Sequence, residues 1–374
     1  MKHSYATLAA LLLAGSALHA QTEIQLPGFL AVKVVKATPV KDQQMSGTCW
    51  SFSATSMLES QAIVNAATEI DLSEMFTVRN IYIEKAHNYI LRLGKTQFSE
   101  GGLGHDPVRA TERYGAMPES AYSGLGSGQK EYDHAKMFKQ LERYVDSVVK
   151  AGAVKANWVP GYTAILDQWM GAPPAEFTYA GKKYTPKSFA AEVIRFNSAD
   201  FVNLTSFTHR PYYTPYAVEV PDNFSNGSYY NLPLNELTET VKTAVSKGYS
   251  ITWDADVSNN GFRQEQGLAL FLDAKKKYKP EEISPETPEL PADAALRQAL
   301  YESLVTQDDH LMHIVGVEKS RDGRTFFLVK NSWGTVGPYK GYLLVSEAYF
   351  NINTISLVLP KAALTPELQA KLKL

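Results

Sequence analysis

Apolar residues recur from Trp50 onward at Trp50, Ala54, Met57, Leu58 and Ala62, the i, i+4, i+7, i+8 spacing of one buried helix face. Further along, Asp71-Leu72-Ser73-Glu74 reads as a capped start to a second helix that runs toward Leu93. A third runs through Val108 to Tyr114 and stops at Gly115-Ala116-Met117-Pro118. Within Lys130 to Lys150, Met137, Leu141, Tyr144 and Val148 again keep helical spacing, and shorter helices are expected around Ser188 to Phe196 and from Leu237 to Lys247 before Gly248. The period then changes. Tyr249 to Val257 alternates like a strand, and Leu311 to Val317, Thr325 to Lys330 and Gly341 to Val345 read as further strands. A short strand at Ala31 to Val35 precedes the first helix, and residues 275–295 are a Lys/Glu/Pro-rich surface excursion. A helical first part and a stranded last part imply an α+β molecule with a cleft between two lobes.

Breakers divide the chain. Gly124-Leu125-Gly126-Ser127-Gly128 is a flexible joint, and the two prolines of Met170-Gly171-Ala172-Pro173-Pro174 forbid a continuing helix. Residues from about 120 to 200 are therefore expected to form an inserted helical subdomain. Residues 1–20 carry an early Lys2, an apolar run from Ala6 to Ala14, and small residues before Gln21-Thr22, the pattern of a signal peptide. Export to the periplasm or outside the cell is the expectation, with residues 21–374 as the working protein. The net formal charge is only −2, so nothing points to a nucleic-acid or anionic-membrane partner. With one cysteine in the chain no internal disulfide is possible, and a free thiol in an exported protein is worth attention.

That cysteine, Cys49, falls where a polar turn becomes the first helix. Unpaired backbone N–H groups and the positive end of the helix macrodipole favour an anion there, so the thiol is expected to lose its proton more easily than a free one. A lone cysteine is more often a small buried hydrophobe. Two neighbours favour chemistry: Gly47 allows close backbone approach, and the Gln43 side-chain amide can donate to a developing oxyanion. A thiolate needs a base, and Asp309-His310-Leu311-Met312-His313 offers two histidines on opposite faces of a strand, so only one can address the cleft. Lys330-Asn331-Ser332-Trp333-Gly334 ends another strand with an amide beside an indole, suited to orienting an imidazole. The glycine run Gly101-Gly102-Leu103-Gly104 is a turn, or bare backbone against which an extended peptide can lie.

Taken together, Gln43, Ser46-Gly47-Thr48-Cys49-Trp50, Asp309-His310 and Asn331-Ser332-Trp333-Gly334 resemble, in type and order, the papain-like cysteine peptidases. Ser46 stands where that family has the first cysteine of its box, in keeping with the absence of a second thiol. Cys49 and His310 are about 260 residues apart, against roughly 130 to 150 in ordinary members. That excess, with Met170 to Thr178 and Ile251 to Val257, resembles the bleomycin hydrolase and aminopeptidase C branch. The resemblance implies a helical lobe carrying Cys49 and a β-barrel-like lobe carrying His310 and Asn331. It also implies Cys49 as nucleophile, His310 as base and acid, Asn331 as orienter, Gln43 as oxyanion donor, and Gly101 and Gly102 as substrate-backbone loop. It implies no metal or organic cofactor, peptides or proteins as substrates, and a possible homo-oligomer. The alternatives are a non-hydrolytic Cys-His acyl transferase and a catalytically idle peptide-binding protein. In that branch the C-terminal arm enters the cleft and limits cutting to N-terminal removal. Here Thr365-Pro366-Glu367 caps a short helix that uses up the tail, so the cleft is expected to be more open and internal cleavage possible.

Overall fold

The computed structural model describes residues 22–26, 29–152 and 157–374; the signal-peptide reading of residues 1–20 lies outside them. Two strands, β1 (Thr22–Gln25) and β2 (Ala31–Val34), lead into the helical lobe: α1 (Cys49–Ala66), α2 (Glu74–Leu91), α3 (His105–Tyr114), α4 (Ala135–Lys150) and α5 (Val159–Met170). A small hairpin, β3 (Phe177–Tyr179) and β4 (Lys182–Tyr184), precedes α6 (Pro186–Glu192). The strand lobe then builds from β5 (Phe201–Thr205), β6 (Pro215–Ala217), β7 (Ser228–Asn231), α7 (Leu234–Ser246), β8 (Ile251–Ala255), β9 (Phe262–Arg263), β10 (Leu268–Ala269) and α8 (Ala294–Glu302). It closes with β11 (His310–Lys319), β12 (Thr325–Lys330), β13 (Tyr342–Ser346), α9 (Glu347–Asn353), β14 (Thr354–Pro360) and α10 (Pro366–Leu372).

The first helix is buried on more than the one face its apolar spacing predicts. Trp50, Ala54, Met57, Leu58 and Ala62 are buried, but so are Ser51, Ser53, Ser56, Glu59 and Ser60. The polar face is tolerable because most of it finds partners: Ser53 Oγ donates across the lobe boundary to Met312 O (2.6 Å), and Ser51 Oγ to Glu74 O at the start of α2 (2.9 Å). Glu59 Oε1 accepts from the Leu72 backbone N–H (2.8 Å). Lys41 Nζ bonds Glu74 Oε1 (2.7 Å) and lies 3.6 Å from Glu59, so the segment that enters the Cys49 turn is held by ion pairs to two buried carboxylates. Residues 120–200 supply α4, α5 and α6, and their apolar faces share one core with α1 to α3 through Met137, Leu141, Tyr162, Leu166 and Phe189.

The strands form one twelve-stranded sheet among the described residues, its main run ordered β6-β7-β5-β14-β8-β11-β12-β13-β10-β9. Its free ends are β6 and β9, so the strand lobe is an open sheet rather than a closed barrel. Strand period 2 divides the two faces. Leu311 and Val358 pack with the helical lobe, as does Ile355 at the register shift between Thr354 and Ser356, whereas Met312, Ile314, Leu357 and Leu359 pack with Leu237 and Val241 of α7 and Leu368 and Leu372 of α10. The C-terminal helix therefore lies on the face turned away from α1. Thr365 caps it, accepting from Leu368 N–H (3.2 Å), and Lys371 pairs with Glu236 of α7 (2.9 Å).

Candidate active site

The turn before α1 is fixed by its own polar side chains. Gln43 Nε2 donates to Ser46 O (2.7 Å), and Ser46 Oγ donates to Gln43 O (2.6 Å). This turn is also bound to the loop after β12: the Gln43 backbone N–H donates to Ser332 O (2.8 Å), and Ser332 Oγ to Gln43 Oε1 (2.6 Å). The amide of Gln43 is thus anchored at both ends, with one of its two N–H groups used by Ser46. Gly47 is required by crowding, since a Cβ there would sit 2.9 Å from that of Glu100, whose carboxylate accepts from Gly47 N–H (2.7 Å).

Cys49 is the first residue of α1, where the initial backbone N–H groups have no acceptor within the helix. It is 8 % exposed. Burial pushes its thiol up to about 12, against the pull of a hydrogen bond from the Leu311 backbone N–H, which places the sulfur beside the start of β11. The expectation of an acidified thiol is thus reversed for Cys49 taken alone: loss of water around the sulfur outweighs the helix terminus. Burial also pushes His310 down to about 4, its hydrogen bond to Asn331 working the other way. His310 is therefore a neutral imidazole at neutral pH, able to take a proton.

Asn331 and Trp333 set the ring. His310 Nε2–H donates to Asn331 Oδ1 (2.7 Å), which leaves Nδ1 as the basic nitrogen. Asn331 is itself fixed, with its Oδ1 accepting from Ser332 N–H (2.8 Å) and its Nδ2 donating to Gln264 Oε1 (2.9 Å). The Trp333 indole lies on the imidazole, centroids 4.6 Å apart and planes 32° from parallel. The two strand histidines separate as the face argument expects: His313 Nδ1 meets Ser56 Oγ of α1 (2.9 Å), in the buried boundary behind the cleft. Gly101 and Gly102 line the other side of the Cys49 turn. A Cβ on Gly101 would collide with the Asp222 carboxylate, and one on Gly102 would come 2.9 Å from the Trp50 indole.

A family model described as the Peptidase C1-like family matches residues 95–374, which include His310 and Asn331. A second, the papain family cysteine proteases, matches residues 30–141, which include Gln43 and Cys49. The chain belongs to the Peptidase C1-like family and is a cysteine-type peptidase. Similar proteins include Aminopeptidase C of Streptococcus thermophilus, 25 % identical over 93 % of this chain and 85 % of that one. Aminopeptidase C of Lactococcus lactis subsp. lactis (strain IL1403) is 26 % identical over 88 % of this chain and 82 % of its own. The crystal structure of PepW from Lactobacillus rhamnosis HN001 superposes with a TM-score of 0.73 at 20 % identity, covering 93 % of this chain and 85 % of that one, and so has the same fold.

Two site features of this peptidase escape sequence reasoning. Gln264, partner of Asn331, comes from an isolated turn with no pattern around it. Lys85 of α2 donates to the Ser99 (2.9 Å) and Gly101 carbonyls, holding the glycine loop from beneath. Its position on the helix gives no hint, because only the fold brings the loop over it.

Proposed function

We propose that the peptidase hydrolyses peptide bonds through Cys49, His310, Asn331 and Gln43, acting on free N-termini as the relatives' names suggest and also able to cut internally. What supports the mechanism is an imidazole with one nitrogen tied to Asn331 and the other left basic, at the start of the strand whose Leu311 N–H reaches the sulfur of a cysteine at a helix start. His310 Nδ1 takes the Cys49 thiol proton as the sulfur attacks the substrate carbonyl. Burial opposes either ionisation alone, but moving the proton from Cys49 to His310 creates two opposite charges that offset each other. The oxyanion is received by the Cys49 backbone N–H and the second N–H of Gln43. His310 then protonates the leaving amine, and water, deprotonated by the same ring, hydrolyses the thioester. Gly101 and Gly102 present bare backbone to the peptide.

Internal cleavage is supported by the position of α10, packed on α7 across the sheet from α1. Free-amine and N-acetylated forms of one peptide, digested and mapped by mass spectrometry, test this reading. Cuts inside the acetylated peptide are expected; release of single residues from the free-amine form alone would restrict the enzyme to aminopeptidase action. We also propose export, on the pattern of residues 1–20; the enzyme recovered only uncleaved from the cytoplasmic fraction would refute it.

A further inference from the structure

An asparagine amide does not by itself decide which end it turns to a histidine. Its oxygen accepts and its nitrogen donates, the two ends are nearly the same size, and a neutral imidazole suits either by carrying its proton on Nε2 or on Nδ1. Facing Oδ1 of Asn331, His310 donates from Nε2 and keeps Nδ1 bare (2.7 Å). Facing Nδ2 instead, the ring would accept at Nε2, and its proton would sit on Nδ1, the atom that has to receive the Cys49 proton. The chemistry therefore depends on whatever breaks the near-symmetry of the Asn331 amide.

Two contacts break it. Oδ1 also accepts from the Ser332 backbone N–H (2.8 Å), and Nδ2 donates to Gln264 Oε1 (2.9 Å). A reversed Asn331 would set donor against donor at Ser332 and oxygen against oxygen at Gln264. Gln264 carries the same ambiguity and has its own answer: its Nε2 lies 3.5 Å from Val336 O, so turning its amide round would bring two carbonyl oxygens together. The Val336 carbonyl is itself fixed, accepting from Gly341 N–H (2.9 Å). Gln264 is buried, in the turn between β9 and β10, where its backbone carbonyl accepts from Gly267 N–H (3.0 Å) and Gly267 O accepts from Leu344 N–H of β13 (2.9 Å). Gly337 packs so tightly there that a Cβ on it would strike the Gln264 carbonyl. Among the described residues, the Gln264 side chain makes no hydrogen bond to Cys49 or His310; its oxygen serves Asn331.

Resting on the peptidase reading above, we propose that Gln264 is a positioning residue that, through Asn331, selects the Nε2–H tautomer of His310. Polarity runs one way along the chain of groups, from the Val336 carbonyl through the Gln264 and Asn331 amides to the imidazole, each donor meeting an acceptor. Without the Gln264 oxygen, Asn331 Nδ2 is buried without that acceptor, and the Ser332 N–H alone opposes reversal. Molecules with the proton on Nδ1 cannot take the Cys49 proton, and those with a loosened Asn331 hold the ring less well. Both effects lower kcat and leave substrate binding alone.

Nitrogen-15 NMR of the Cys49→Ala chain, labelled at histidine, reads the tautomer without turnover, the His310 signals being identified by their loss when His310→Ala is added. At pH 7 the parent should show a protonated Nε2 and a bare Nδ1. Gln264→Met, similar in size but without the acceptor, should move the tautomer ratio about tenfold toward Nδ1–H, roughly the worth of one hydrogen bond. Gln264→Leu removes the same oxygen should the methionine chain not fold. With Cys49 in place, the same substitution should lower kcat by about threefold or more at nearly constant KM. Gln264→Glu, which keeps an oxygen toward Asn331, should return both the ratio and kcat to within about twofold of the parent. An unshifted tautomer ratio in the folded methionine or leucine chain, or a loss of kcat that Gln264→Glu does not recover, overturns the proposal. Hydrolysis by the unaltered enzyme reads the peptidase mechanism separately, so failure of one is not failure of the other.

Discussion

At the residue scale, the chemistry divides between groups that react and groups that hold them. Cys49→Ala should abolish hydrolysis while leaving thermal unfolding close to that of the parent, because Cys49 makes no disulfide. His310→Ala should lose about a thousandfold or more in turnover, as removal of a base does, whereas His313→Ala should cost stability more than rate. The reverse ranking in folded proteins would reassign the base. Gln43→Ala is expected to lower kcat by about a hundredfold with little change in KM, as loss of one oxyanion donor does. The pH dependence follows from His310, whose neutral form is needed and whose pKa burial lowers to about 4. Above that value the ring stays neutral, so kcat/KM on an N-acetylated substrate should hold from pH 7 to about 5 and fall through about 4. A fall centred near 6.5 would mean that His310 titrates as an exposed imidazole.

At the element scale, α1 is held from both sides, and its polar face decides how firmly. Lys41 joins the turn to Glu59 and Glu74, both almost wholly buried, so Lys41→Met should leave those carboxylates unpaired and cost about 3 to 5 kcal/mol in a denaturant titration. An unchanged midpoint would show that the ion pairs contribute nothing net. Strands β11, β12 and β13 and helices α1, α2 and α4 are legible in the sequence because each keeps its period over a long run. Helix α5 is not, since Pro160 and Gly161 in its first turn hide the Tyr162, Leu166, Met170 face. Helix α8 lies at the end of the Lys/Glu/Pro-rich stretch and is betrayed only by the Asp293 cap, which accepts from Leu296 N–H (2.8 Å). The buried serines of α1 read as an exposed face because their partners, Met312 and Glu74, are distant in sequence.

At the scale of the whole molecule, the proposed reacting pair is divided between the two lobes, and its residues were legible as motifs while their environment was not. Burial depends on everything packed around a group, which is why helix position alone misjudges the Cys49 thiol. Docking of the C-terminal segment is likewise a property of the assembled sheet. Deleting residues 365–374 would uncover Leu237 and Val241, so it should lower the melting temperature, while cleavage of an acetylated peptide by the folded fraction should persist. The central claim, that His310 of one lobe activates Cys49 of the other, is tested most directly by the rate at which iodoacetamide alkylates the chain's single cysteine as a function of pH. In the unaltered enzyme the thiol should react readily at pH 6 to 8, because the ring accepts its proton. In His310→Ala, with burial alone acting, alkylation should be at least about tenfold slower there and rise only toward the alkaline limit. Superimposable profiles for the two proteins would contradict the claim.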